Sequence, residues 1–296
     1  MPDAEIAAIR ALLTGRPRPS GPEERRQRLD DFGRGLGVPE DARLQPVRIE
    51  RATAEWSITP EGDNTRAVLY LHGGGYMAGS VVSHRYVAVE IGRAARARTL
   101  ALDYRRAPEH PYPAQLEDAL AAYQHLRDQG FGPANVAVGG DSAGGNLTLA
   151  LLLALRARGE AMPACGWLVS PWTDLTANGA TMQSKAAVDP MISKPYLLEL
   201  AEAFAGARDL ADPAISPQFA DLNGLPPLLI QVGSEETLLD DAVTLAGRVG
   251  AAGVAVTLEI WPEMIHAFPM FFPCVAASRR ATHGAGEFIR RCFSPP

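Results

Sequence analysis

From residue 67 onward the chain repeats one pattern, a short apolar run followed by a longer stretch whose apolar residues have helical spacing. The runs are "AVLYLH" (67–72), "TLALDY" (99–104), "NVAVGG" (135–140), "CGWLVS" (165–170), "PLLIQVG" (227–233) and "VAVTLEIW" (254–261). Helical patterns lie between most of them, at 84–97, 114–128, 143–158 and 237–251, and a last one follows at 276–291. Parallel strands need crossover connections, so this alternation predicts a mostly parallel sheet covered on both faces by helices. Ahead of it, "VRIERATAEWSI" (47–58) places apolar or small residues at every second position, as edge strands do, and makes the expected eight-stranded sheet mixed.

Two regions stand outside the pattern. The N-terminal segment reads as two amphipathic helices, 3–14 and 22–35, divided by "GRPRPSGP" and poor in large apolar residues. Between 175 and 222 no strand is evident, only loops and a helix near 194–205. Together they predict a helical cap over the strand ends, made of residues 1–45 and an insertion at 175–212. The catalytic core is then 46–174 and 213–296. No internal repeat or low-complexity tract interrupts it.

Composition narrows the function classes. Hydrophobic residues are 47% and charged residues 21%, the mixture of a soluble globular protein. A net charge of −6 gives no reason to expect nucleic acid as a partner, and the densest basic run, Arg25 to Arg28, follows Glu23 and Glu24 and reads as a solvated helix face. The three cysteines have no CxxC spacing, which suggests neither a disulfide framework nor a zinc site. Acids stand where a signal peptide needs basic residues, and the longest apolar run, "LTLALLLAL" (147–155), is far short of the roughly 18–20 residues of a spanning helix. A cytoplasmic setting without membrane partners is the expectation.

"GGDSAGGN" (139–146) lies between a predicted strand and a predicted helix. Gly140-Asp141-Ser142-Ala143-Gly144 is G-x-S-x-G, a motif whose serine projects outward from a sharp strand-to-helix turn. Flanking glycines suit it because a Cβ there would collide with tightened backbone. The phosphate-cradle alternatives fail on spacing, since no G-x-G-x-x-G occurs here and no lysine follows Gly144 or Gly145. Upstream, "HGGGY" (72–76) closes an earlier strand where an α/β hydrolase places its oxyanion loop. The N–H groups of Gly74, Gly75 and Ala143 are the candidate donors. His72 precedes the glycines and suits a structural hydrogen-bonding role.

A serine hydroxyl needs a base, and the base needs an orienting acid. Two histidines follow Ser142: His266, in a loop past the strand 254–261, and His283, inside the last helical pattern. His266 is the better placed. "GSEETLLDD" (233–241) supplies Glu235, Glu236, Asp240 and Asp241 as candidate acids, and the chemistry alone leaves the choice open.

With "HGGGYMAGS", "DYRRAPEHPYPAQLEDA", "GGDSAGGN", "SPWTDLT", "GSEETLLDD" and "IHAF" in this order, nearly the whole chain resembles the hormone-sensitive lipase-like family of bacterial esterases and lipases, within the α/β hydrolase superfamily. The resemblance implies that Glu236 is the acid, because Leu238 and Asp240 match the family's D-P-L-x-D pattern; glutamate there departs from the usual aspartate. It implies that Glu109 and Asp141 support the nucleophile turn, and that the cap is helical. The implied activity is hydrolysis of short- to medium-chain carboxylic esters by Ser142, His266 and Glu236, with no cofactor or metal. Lactones, carbamates or amides suit the same triad. A non-catalytic ligand receptor on this fold would be expected to lack a triad member. Tyr76, Met191, Tyr196, Leu197, Ile265 and Phe268 are candidate pocket residues, and the strand 254–261 is a candidate edge for a homodimer.

Overall fold

The computed structural model describes residues 4–15, 17 and 19–293. Two helices come first, α1 (Ala4–Thr14) and α2 (Gly21–Leu36), followed by strands β1 (Arg43–Ile49), β2 (Ala52–Ile58) and β3 (Asp63–Leu71). Then come α3 (Val81–Ala95), β4 (Ala97–Asp103), α4 (Ala114–Asp128), β5 (Val136–Asp141), α5 (Ala143–Ala157) and β6 (Cys165–Val169). The chain continues through α6 (Thr181–Ser184), α7 (Lys194–Ala205), β7 (Leu228–Gly233), α8 (Leu239–Ala251), β8 (Val256–Trp261) and α9 (Ala276–Cys292). The strands form one eight-stranded sheet in the order β1-β2-β4-β3-β5-β6-β7-β8, in which only β2 runs against the others.

The alternation expected at 47–58 is split in two. Glu50, with φ of 49°, turns the chain at a polar Glu-Arg pair, so β1 folds back on β2 with Val47 opposite Ala54. The hairpin also begins earlier than the sequence pattern does, at Arg43. The central strands are buried on both faces, which is why they read as continuous apolar runs. Along β3, Leu69 and Leu71 face α4 and α5, packing with Ala119, Leu147 and Leu151. Val68 and Tyr70 face α3 and α9, with Val87, Ile91 and Ile289. Successive strand residues point to opposite faces, so one nine-residue strand serves both cores.

Register places the motifs together. Leu71 pairs with Gly140, so the chain leaving β3 as His72-Gly73-Gly74-Gly75 emerges beside Asp141 and Ser142. Gly233 at the end of β7 pairs with Trp261 at the end of β8, bringing the two loops that carry Glu236 and His266 side by side. All four loops leave carboxyl ends of parallel strands, the edge where open α/β sheets bind ligands. Among the described residues no helix is long and apolar enough to cross a membrane.

Candidate active site

Ser142 separates β5 from α5 with φ of 54° and ψ of −119°, backbone that costs a non-glycine residue on the order of 1–3 kcal/mol. The surroundings hold it there. Its N–H donates to Val169 O at 2.8 Å, and its carbonyl accepts from the N–H groups of Asn146 and Trp172, each at 3.1 Å. A Cβ on either Gly140 or Gly144 would collide with the Leu71 carbonyl oxygen. The glycines of G-x-S-x-G are therefore demanded by the close passage of β3 as much as by the turn itself.

Ser142 lines a cavity of about 180 Å³, together with His266, His84, Gly74 and Gly75. His266 Nδ1 lies 2.7 Å from Glu236 Oε2, and both residues are buried. The other carboxylate oxygen, Oε1, accepts from Ser170 Oγ at 2.8 Å and from Gly233 N at 2.6 Å. Ser170 Oγ in turn accepts from Ala267 N at 3.0 Å, so one hydroxyl ties the acid to the backbone next to the imidazole. Burial lowers the His266 pKa, but the Glu236 hydrogen bond and charge more than reverse this, leaving it above its ordinary value. Glu235 faces elsewhere, with its carboxylate 3.5 Å from Lys185 Nζ.

The glycine loop is anchored through Asp141. Asp141 Oδ1 accepts from Tyr70 OH at 2.7 Å and Gly73 N at 3.1 Å, while Oδ2 lies 3.4 Å from His84 Nε2. Burial pushes this carboxyl up, and the His84 ring and Tyr70 hydroxyl outweigh it, so the group sits below its usual range. Gly74 and Gly75 adopt φ of 112° and 63°, conformations natural only to glycine. The Gly74 carbonyl is turned away, accepting from the N–H groups of Met77 and Ala78. His72 stacks on Tyr104 at 4.0 Å, and its Nδ1 is 2.8 Å from Gly73 O. Burial and the nearby His84 ring drive its pKa down to about 3, which keeps it neutral and structural.

A buried acid–imidazole pair beside a strained serine and a left-handed glycine loop has the parts needed for acyl transfer. Comparison with known proteins gives the family and the reaction class. The alpha/beta hydrolase fold family matches residues 68–270. An acetyl-hydrolase of Streptomyces hygroscopicus is 46% identical over 259 residues, 88% of this chain and 85% of that protein. An esterase of Acinetobacter venetianus is 32% identical over 275 residues, 90% of this chain and 88% of that one. The crystal structure of an esterase from the bacterial hormone-sensitive lipase family superposes with a TM-score of 0.95 at 39% identity, covering 98% of this chain and 99% of that chain. The chain belongs to the hormone-sensitive lipase-like α/β hydrolases.

Within this α/β hydrolase the sequence-predicted residues fall into two groups. Met191, Tyr196 and Leu197 line the Ser142 cavity, joined by Ile192 and Leu200 and by Pro19, Arg25, Arg28 and Leu29 of the N-terminal segment. Tyr76, Ile265 and Phe268 do not. Tyr76 is buried against Phe204, rings 3.7 Å apart, and donates to Asn146 Oδ1 at 2.6 Å. Ile265 and Phe268 pack in a separate apolar cluster with Ile6 and Val275. Large apolar side chains beside a motif were drawn into packing rather than left facing the cavity. Glu109 is also displaced from its expected place at the nucleophile turn. Its carboxylate takes a two-pronged ion pair from Arg26 of α2, at 2.6 and 2.9 Å, and that guanidinium also donates to the Met77 and Ala107 carbonyls, tying α2 to this loop. Asp141, expected to support the nucleophile turn, directs its carboxylate to Tyr70, Gly73 and His84. Sequence reasoning missed His84, which lines the cavity, and Ser170 and Tyr70, which meet the site through Glu236 and Asp141; the serine ending "CGWLVS" was the one visible signal.

Proposed function

We propose that this carboxylic ester hydrolase cleaves short- to medium-chain esters through an acyl-enzyme on Ser142. Ser142 Oγ attacks the ester carbonyl as His266 Nε2 accepts its proton, and Glu236 orients the imidazole and stabilises the cation that forms. The N–H groups of Gly74, Gly75 and Ala143 receive the developing oxyanion. The imidazolium then protonates the leaving alkoxide. A water, deprotonated by His266, attacks the acyl carbon, and collapse of that second tetrahedral intermediate returns Ser142 and releases the acid.

The observation that carries the reading is the buried 2.7 Å contact between Glu236 and Nδ1 of His266, whose ring lines the same cavity as Ser142. The acetyl-hydrolase and esterase relatives support the reaction class. The space beside Ser142 is about 180 Å³ and adjoins one of about 210 Å³ lined by His266, Met270, Phe32 and Leu29 and one of about 350 Å³ lined by Arg25, Pro195 and Glu199, which leaves room for an acyl and an alcohol part. Residues 1–45 and 175–212 act as the cap in this account. A series of p-nitrophenyl esters tests it. Activity should peak at short to medium acyl chains and vanish in Ser142→Ala; a Ser142→Ala variant that retains turnover overturns the reading.

A further inference from the structure

The cavity wall holds a cation that ester cleavage does not use. Arg25 of α2 lines the Ser142 cavity and also the adjoining space of about 350 Å³ toward Pro195 and Glu199, yet the residue is only 7% exposed. Its donors are poorly filled. Both Glu199 oxygens engage the same nitrogen, Nη2, at 2.8 and 2.9 Å. Nη1 reaches only the Met77 sulfur, at 3.9 Å, and the buried Nε has no hydrogen-bond partner. The Tyr196 ring lies 5.0 Å from the guanidinium carbon and adds a cation–π attraction.

Burying a guanidinium is costly unless its donors are satisfied, and an ion pair with a solvated partner recovers little of that cost. Glu199 is such a partner, with its side chain 55% exposed. Asp141 is the one carboxylate among the described residues lining the Ser142 cavity, and it is already occupied by Tyr70, Gly73 and His84. Arg28, one turn along α2, adds a second guanidinium to the same wall, although it spends donors on the Pro17 carbonyl and on Glu24. In a chain of net charge −6, two guanidinium groups, each paired with a glutamate, thus stand on one wall of the catalytic cavity.

We propose that Arg25 is a specificity-determining residue that selects esters bearing a carboxylate remote from the scissile bond. Such a carboxylate pairs with the guanidinium on the side that lines the cavity, adding a charge-assisted hydrogen bond to the one that Glu199 makes. The inference rests on the ester-hydrolase reading above and names a substrate class for that same site.

The test uses matched pairs on the full chain. On the acyl side, p-nitrophenyl hydrogen adipate is compared with p-nitrophenyl hexanoate; on the alcohol side, 6-acetoxyhexanoate with hexyl acetate. The readout is the ratio of kcat/KM for the charged ester to that for its neutral partner, which cancels any loss of folded enzyme. In wild type the ratio should exceed one in at least one pair and fall with added salt. Arg25→Met should lower that ratio at least about tenfold, mainly through KM, with Arg25→Lys intermediate. Glu199→Gln, which frees the guanidinium, should raise it, a gain that misfolding cannot mimic. A ratio below one in both pairs, or one unmoved by Arg25→Met while the neutral esters are still cleaved, overturns the role of Arg25 alone. Turnover of neither member of either pair overturns the ester-hydrolase reading with it.

Discussion

Removing the Ser170 hydroxyl should slow catalysis without touching the substrate. That hydroxyl donates to Glu236 Oε1 at 2.8 Å and accepts from Ala267 N at 3.0 Å, and it does not line the Ser142 cavity. A hydrogen bond to a charged group contributes about 1.5–3 kcal/mol, or roughly 10- to 150-fold in rate if it is felt wholly in the transition state. Gly233 N–H stays on the same carboxylate oxygen at 2.6 Å, so the lower end applies, about a tenfold loss of kcat with little change in KM. Ser170 has φ of 44°, and that permits a control. Ser170→Ala keeps the left-handed strain, whereas Ser170→Gly relieves it and should be more stable than the alanine variant by roughly 0.5–1 kcal/mol. Both lack the hydroxyl, so both should lose kcat alike in p-nitrophenyl butyrate assays, while urea unfolding separates them. If kcat stays within about twofold of wild type, or recovers in step with the stability of the glycine variant, Ser170 is merely structural.

Glu236→Ala should remove most activity and Glu235→Ala little, measured as kcat/KM; the reverse ranking would reassign the acid. In wild type the acid limb of kcat/KM should lie above the ordinary histidine value of about 6.5, because the base must be neutral and Glu236 raises its pKa, and Glu236→Gln should move that limb to lower pH. Gly75→Ala places a Cβ against Leu200 at φ of 63° and should cost on the order of 10²- to 10³-fold in kcat if the oxyanion donors are displaced. Asp241 is buried with its pKa raised to about 8, the first cause being burial, and it accepts from the N–H groups of Thr173 and Asp174. A raised carboxyl pKa favours folding at low pH and loses that contribution as pH climbs from about 4 to about 8, so wild type should lose a few kcal/mol relative to Asp241→Asn over that window in unfolding titrations.

What could be read ahead of the fold was whatever is local. The strand–turn–helix around Ser142 and the glycines after β3 each depend on neighbours within a few residues, whereas the acid was chosen only through the family resemblance. The helices at 194–205 and near 22–35 declared themselves by spacing and by proline and glycine breaks. Boundaries set by an unusual backbone did not, as with the Glu50 turn, where neither glycine nor asparagine marks the left-handed residue. Partnerships across long separations were also hidden. Ser170 meets Glu236 from 66 residues away and Asp141 meets Tyr70 from 71, and nothing in either segment announces the other. Glu109 was misread for the same reason, since its partner Arg26 lies 83 residues earlier on a helix that looked merely solvated.

The account stands most directly on Ser142 as the nucleophile. Treating the protein with a fluorophosphonate and locating the adduct by peptide mass spectrometry should give one modification, on Ser142, rising in proportion to lost esterase activity and absent from His266→Ala at matched times. An adduct on another residue that tracks the loss of activity, or full turnover with Ser142 completely modified, would contradict it.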